Sequence, residues 1–403
     1  MGEFRPKTAR RPRVRALSVF GTRPEAVKMA PVVLALAADP AFESRVAVTA
    51  QHRQMLDQVL SHFQIRSHYD LDIMRPAQTL TDITVRALER LGPVLERESP
   101  DVVLVHGDTA TTCAAALAAF YRRITVGHVE AGLRTGERYA PFPEEMNRRL
   151  VAVLAELNFA PTPVARENLL REGHPAETVF VTGNTAVDAL LATVRPDYRF
   201  KSPILCDLDF SSQRVVPVEA HRRENHGPRM ESICQAVRQI AVDCPDVLMV
   251  FSVHPNPEVR RVAHRVLAGA PRVLLCEPFP YQEWANLLGR AHFIISDSGG
   301  VQEEAPTLGK PVLLLRDVTE RPEALAAGTV ELVGAETGAV YAAALRLLRD
   351  PAHYQAMART SNPLGDGQAA RRIVAALRYC FGLSPARPDE FVPARPNSDK
   401  SAR

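Results

Sequence analysis

The feature that most constrains this chain is a rhythm that starts near Val14, in which short apolar runs alternate with amphipathic segments of helical length. That pattern predicts parallel strands with helices packed on the sheet faces. In the first half the predicted strands are 16–20, 46–50, 102–105, 124–129, 157–160 and 179–181, with helices starting near Pro24, His52, Thr79, Thr109, Glu144 and Pro163. A second series places strands at 214–218, 247–253, 273–276, 293–296, 312–315 and 330–333, with helices at 229–242, 257–267, 281–290, 300–308 and 338–349. Between the two series Pro196 and Pro203 interrupt the alternation, and 403 residues are too many for one typical domain. The expectation is an α/β protein of two doubly wound, Rossmann-like domains, 14–186 and 187–365, with a ligand cleft between them. A basic leader (1–13) and a tail (383–403) read as disordered, and a last amphipathic helix within 366–382 is expected to pack back on the first domain.

Composition removes several function classes. A net charge of +3 is too small to call for nucleic acid, and 46% hydrophobic with 24% charged residues is ordinary for a globular protein. The leader lacks the apolar core of a signal peptide, and no apolar run approaches the roughly 20 residues that span a bilayer. Cys113, Cys206, Cys234, Cys244, Cys276 and Cys380 are scattered, which fits buried thiols in a reducing cytoplasm. No H-E-x-x-H, Asp-x-Asp or Cys/His cluster suggests a metal, no G-x-S-x-G a serine hydrolase, and no G-x-G-x-x-G a nicotinamide cofactor.

The chemistry-bearing residues follow predicted strands. Residues 101–149 read strand, loop, helix, strand, loop, with Asp108, Glu130 and the pair Glu144-Glu145 just past strand ends, where open parallel sheets bind ligands. Carboxylates gathered there suit proton transfer or cation stabilisation, although each is also a plausible partner for Arg134, Arg148 or Arg149. Gly21-Thr22-Arg23-Pro24 opens a helix whose free N–H groups favour anions, and Arg23 and Lys28 add positive charge. Ser298, Gly299 and Gly300 form a second strand-to-helix turn suited to a diphosphate, with Glu304 further along as acceptor for ribose hydroxyls. Arg321 on the next loop is placed to grip phosphate in bidentate fashion, and His221 to donate to a diphosphate. His254 reads as a lining residue. Phe279, Tyr281 and Trp284 are candidates for base stacking, with a core role favoured.

Taken in order, FGTRPEAVKMAP, TAQHRQMLDQVL, VVLVHGDTATT, GHVEAGLRTG, PFPEEMNRR, TGNTAVDAL, HRREN, DSGGVQEEAPTLGKPVLLLRD, TERPEA and NPLGDGQA closely resemble the non-hydrolysing UDP-N-acetylglucosamine 2-epimerases of bacteria, over residues 15 to 380. The resemblance implies a glycosyltransferase-B-like fold, a homodimer, no metal or cofactor, and interconversion of UDP-GlcNAc and UDP-ManNAc for cell-surface polysaccharide synthesis. It implies that Asp108, Glu130, Glu144 and His221 are catalytic, and that Arg23, Lys28, Ser298, Gly299, Gly300, Glu304 and Arg321 contact substrate. Gln51, Gln54 and Arg222 match a second, allosteric UDP-GlcNAc site, but Ala77 stands where the family has a basic residue.

The chain also departs from the family at Glu219-Ala220 before His221, where Thr-Gly is usual; a positive φ there would strain an alanine, and Glu219 adds negative charge. A glycosyltransferase using a UDP-sugar on the same fold is the alternative reading, and it requires an acceptor site for which no motif speaks. A nucleotide-sugar-binding regulator would not need the acids.

Overall fold

The computed structural model describes residues 12–50, 53–75 and 78–394. The chain divides into two compact units, one comprising residues up to Ala189 together with Leu364–Pro393, the other Leu190–Pro363.

In the first unit seven parallel strands form one sheet. They are β1 (Val14–Phe20), β2 (Phe42–Val48), β3 (Tyr69–Asp70), β4 (Val102–His106), β5 (Thr125–Val129), β6 (Leu157–Ala160) and β7 (Val179–Val181), arranged 3-2-1-4-5-6-7. Strands β4 to β7 are buried along their whole length, which explains why they read as continuous apolar runs. One core layer joins Leu17, Val19, Val103, Val105 and Val126 to Leu91, Leu95 and the alanine-rich helix Ala110–Phe120.

The second unit repeats the plan with six parallel strands: β8 (Arg214–Glu219), β9 (Val247–Ser252), β10 (Val273–Cys276), β11 (Ile294–Ser296), β12 (Val312–Leu314) and β13 (Val330–Leu332), arranged 10-9-8-11-12-13. Val216, Val218, Phe251, Phe293 and Ile295 centre its core. In each sheet the strand order reverses once, between β1 and β4 and between β8 and β11. Loops leaving the carboxyl ends of those strands diverge and leave a crevice, the usual ligand position in such folds. The loops concerned start at Gly21, Gly107, Ala220 and Asp297.

Several elements are absent from the sequence reading. The two-residue strand β3 is too short to leave a periodic signal, and the helix Thr185–Thr193 is buried on so many sides that its pattern is not amphipathic. Pro203–Cys206 and Pro322–Ala327 are also helical, as is Pro351–Ala358, capped by Asp350. The last helix, Ala369–Cys380, lies in the first unit, where Arg378 pairs with Asp39 at 2.9 Å.

The leader up to Arg11 and the tail from Arg395 lie outside the described residues. The described part of the tail differs from the disordered segment expected there. Phe391 is 4% exposed and donates its N–H to Val181 O, while Arg387 donates to Glu177 O and lies over the Phe180 ring. One buried aromatic and one arginine on main-chain acceptors offset the ordering entropy of a segment whose composition looks solvated.

Candidate active site

In the first unit the site grows from the loops after β1, β4 and β5. Gly107 takes φ +67°, turning the chain sharply after β4. The turn and Asp108, the next residue, are fixed at three points. His128 Nε2 lies 2.8 Å from Gly107 O, Asn147 Nδ2 donates to Asp108 O at 2.8 Å, and Arg148 Nη2 stands 2.6 Å from the Asp108 carboxylate. Burial lowers the pKa of His128 to about 3, so its ring is neutral and donates from Nε2.

Glu130 is held more tightly. Its backbone adopts φ +65°, a left-handed conformation that costs a non-glycine residue about 1–2 kcal/mol. Its carboxylate accepts from Lys28 Nζ at 2.5 Å and from Asn184 Nδ2 at 3.1 Å, with His106 Nε2 at 3.8 Å. Burial also lowers the pKa of His106. A Cβ built on Gly107 would stand 3.7 Å from Glu130 Oε1, so this carboxylate flanks the turn that carries Asp108.

The Glu144-Glu145 pair separates by role. Glu145 is fully buried, accepts from Thr135 N at 3.0 Å and pairs with Arg148 and Arg149, a structural arrangement. Glu144 is half-buried and opens the helix Glu144–Leu154, which also carries Asn147 and Arg148. The helix bearing Glu144 is thereby tied to Asp108. Arg134 pairs instead with Glu172 at 2.7 Å.

In the second unit Asp297 organises the loops. It is fully buried, and it accepts from His221 N at 2.9 Å, Arg222 N at 2.9 Å and Asn225 Nδ2 at 2.9 Å, with His221 Nδ1 at 3.3 Å. His221 stacks on His254, ring centroids 5.5 Å apart. Ser298 precedes the short helix Gly299–Glu304 without capping it, and Gly300 is half-buried. Arg321 Nε donates to Glu303 at 2.6 Å, and its guanidinium also lies 3.3 Å from Glu320. Burial opposes the charge on Glu320, and Arg321 and Arg316 outweigh it, holding that carboxyl below its usual range. A Cβ on Gly299 would meet Arg321 Nη1 at 3.0 Å, so a larger residue there would press on the guanidinium. Glu304 accepts from Tyr281 OH at 3.2 Å, and Phe279, Tyr281 and Trp284 are all buried.

The family model described as UDP-N-acetylglucosamine 2-epimerase matches residues 34–378. A UDP-N-acetylglucosamine 2-epimerase of Bacillus subtilis (strain 168) is 52% identical over 380 residues, covering 94% of this chain and 99% of that protein. The chain belongs to the UDP-N-acetylglucosamine 2-epimerase family. Two solved structures are similar throughout. The S. aureus MnaA–UDP co-structure has a TM-score of 0.88 at 48% identity, covering 94% of this chain and 100% of that one. The Neisseria meningitidis UDP-GlcNAc 2-epimerase bound to UDP-GlcNAc has a TM-score of 0.85 at 48% identity, covering 90% and 99%.

Within this family member the remaining expectations fall as follows. Lys28, grouped by resemblance with the UDP contacts, is ion-paired with Glu130. Arg23 begins the helix Arg23–Ala38. Gln51 and Ala77 lie outside the described residues, and Gln54 is exposed on the helix Arg53–His62. Arg222 sits with His221 on Asp297. Ala220 is fully buried and is not among the described non-glycine residues with positive φ, so the departure from Thr-Gly brings no backbone strain. Asp297, Asn184 and Asn147 carry no sequence signal of their own, although they lie inside the strings DSGG, TGNTAVDAL and PFPEEMNRR, and His128 closes an apolar run inside GHVEAGLRTG. Among the described residues no group of three or more His, Cys, Asp or Glu side chains is placed to hold a metal, and no helix is long and apolar enough to cross a membrane.

Proposed function

We propose that this epimerase inverts C2 of UDP-GlcNAc to give UDP-ManNAc, reversibly, by elimination and re-addition of UDP. A carboxylate removes the C2 proton while the C1–O bond to UDP breaks. The C2–H pair becomes the C1=C2 bond of 2-acetamidoglucal, and UDP leaves with the C1–O pair. UDP then adds back to C1 as a proton reaches C2 on the opposite face. No carbonyl adjoins C2 to make its hydrogen acidic, so departure of UDP must run ahead and leave positive charge shared by C1 and the ring oxygen. Carboxylates already in place stabilise that charge without reorganising, each by about 3 kcal/mol.

The observation that carries the reading is Glu130, a carboxylate held in a strained backbone conformation by Lys28 and Asn184 beside the turn bearing Asp108. Six other described non-glycine residues also have positive φ, so what singles out Glu130 is that conformation on a buried carboxylate held by both Lys28 and Asn184. Asp108, Glu130, Glu144 and His221 carry the chemistry, His221 by donating to the departing diphosphate, while Ser298, Gly299, Gly300, Arg321, Arg23 and Glu304 hold the UDP portion. Gln54 and Arg222, with Gln51, are the residues for any regulatory UDP-GlcNAc. The reaction takes place in the cytoplasm and supplies cell-surface polysaccharide synthesis. A homodimer completes the proposal: exposed Phe120, Tyr121, Leu150 and Val153 on neighbouring helices offer apolar surface for a second copy, to be checked by light scattering.

The deciding experiment is proton NMR of UDP-GlcNAc with the protein in D2O. UDP-ManNAc carrying deuterium at C2 is expected. Transfer of the sugar elsewhere, or epimerisation with C2 hydrogen retained, would overturn the mechanism.

A further inference from the structure

Glu130 receives its amide partner from an asparagine whose orientation is determined on both sides. Asn184 Oδ1 accepts from Ala186 N at 2.9 Å, which leaves Nδ2 as the atom facing Glu130 Oε2 at 3.1 Å. The Asn184 main chain is fixed as well, its N–H donating to Leu364 O at 2.9 Å.

The residue before it, Gly183, has φ +87° and is boxed in by the C-terminal part of the chain. A Cβ there would lie 3.6 Å from Phe391 Cγ, 3.7 Å from Ala369 Cβ and 3.7 Å from Gly365 Cα. Phe391 itself is 4% exposed, donates its N–H to Val181 O at 2.8 Å, and lies under the Arg372 guanidinium, 5.6 Å from its ring centroid. Arg372 in turn donates to Thr182 O at 3.1 Å. Residues 181 to 184 are thus gripped from the tail side, and the end of that grip is the amide on Glu130.

We propose that Asn184 is a positioning residue for Glu130, and that Phe391, on the tail beyond the last helix, is a second positioning residue acting through Gly183 and Asn184. The proposal rests on the functional reading of Glu130 given above. Asn184 selects the carboxylate's rotamer, and Phe391 holds the loop that presents Asn184. A mobile carboxylate would still leave UDP binding intact while spoiling proton transfer, because near-attack geometry is lost at small displacements.

The test is a double-mutant cycle on the full chain with kcat and KM for UDP-GlcNAc. Asn184→Ala is expected to lower kcat roughly ten- to hundredfold, the range for losing a hydrogen bond to a charged group, with KM within about twofold. Phe391→Ala is expected to lower kcat about three- to tenfold, Phe391→Leu to restore most of it, and Phe391→Ala to have under about twofold effect in an Asn184→Ala background. Independent, multiplying losses would overturn the proposal. So would a Phe391→Ala protein with a lower Tm and unchanged kcat, which would make the tail a stabilising strap only. A crystal structure of Phe391→Ala provides a readout that does not depend on the reaction. Asn184 Nδ2 displaced from Glu130 supports the proposal, and an undisturbed contact refutes it. A parent chain that does not epimerise would refute the functional reading alone.

Discussion

Asp297→Asn removes one charge and leaves the shape of the side chain unchanged, so its cost can be worked from the contacts. Oδ2 accepts three N–H groups, from His221 N, Arg222 N and Asn225 Nδ2, each at 2.9 Å, while Oδ1 takes a longer one from His221 N at 3.1 Å. The best amide rotamer keeps the carbonyl oxygen on the three donors and turns its NH2 toward the His221 N–H, donor against donor, with His221 Nδ1 at 3.3 Å as the one acceptor in reach. A hydrogen bond to an ionised acceptor is worth about 1 kcal/mol more than a neutral one, so three lose about 3 kcal/mol. Relief from burying a charge returns part of that, leaving about 2–3 kcal/mol. For a unit of this size that is roughly 5–10 °C in Tm. Because two of the donors are the main chain of His221 and Arg222, kcat/KM is expected to fall about tenfold as well. Differential scanning calorimetry and steady-state kinetics on the same preparations check both. A variant that melts within about 1 °C of the parent and turns over equally well would refute the idea that Asp297 holds this loop.

Other perturbations separate the assigned roles. Lys28→Met is expected to lower kcat roughly ten- to hundredfold with UDP affinity little changed by calorimetry, since the ammonium lies on Glu130; a loss confined to UDP affinity would return Lys28 to the nucleotide. Gly299→Ala places a methyl 3.0 Å from Arg321 Nη1, and the guanidinium cannot yield freely while Glu303 and Glu320 hold it, so UDP affinity is expected to weaken about tenfold; unchanged affinity would remove Arg321 from the diphosphate site. Asp188 accepts from Ala369 N and Ala370 N, yet burial raises its pKa from 3.8 to about 6. An acid raised in the folded state binds more protons there than when unfolded, so it costs stability as pH climbs from about 4 to about 6, by roughly 3 kcal/mol in total. Stability of Asp188→Asn relative to the parent, from urea unfolding, is therefore expected to improve between pH 4 and pH 8; a flat or opposite trend would refute the shift.

What was legible in the sequence was whatever a strand end announces. Asp108, His221 and Ser298 each stand two residues past the end of a strand, and parallel strands buried on both faces are conspicuous as apolar runs. The residues that hold these groups were not legible. Asn184 reaches Glu130 across 54 positions and Arg148 reaches Asp108 across 40, and no local pattern encodes such a distance. Glu144 and Glu145 are indistinguishable as letters; only the helix phase buries one and leaves the other accessible. The tail from Ser384 fails for a related reason, since Phe391 and Arg387 are two residues in a proline-rich stretch and their value lies in the sheet edge they meet.

The two units have different sequences, yet each fastens its switch-point loops with one buried acid. In the second unit Asp297, after β11, binds the loop after β8. In the first, Glu25 does the corresponding work: Oε2 accepts from Gly21 N at 3.1 Å and Thr22 N at 2.8 Å, after β1, and Oε1 accepts from Thr109 Oγ1 at 2.8 Å and Thr112 Oγ1 at 3.0 Å, after β4. The partners differ in kind, and that difference decides what a neutral replacement costs. A main-chain N–H can only donate, whereas a threonine hydroxyl can rotate and accept. Glu25→Gln can therefore keep its carbonyl on Gly21 and Thr22 and offer its NH2 to two hydroxyls, whereas the NH2 of Asp297→Asn meets a main-chain N–H at 3.1 Å and a single acceptor, His221 Nδ1, at 3.3 Å. Glu25→Gln is expected to cost about 1 kcal/mol, less than half the loss at Asp297, although both acids are almost wholly buried. Urea unfolding of the two variants side by side makes the comparison. Equal losses would mean that charge burial, and not the direction of the donors, governs how these loops are held.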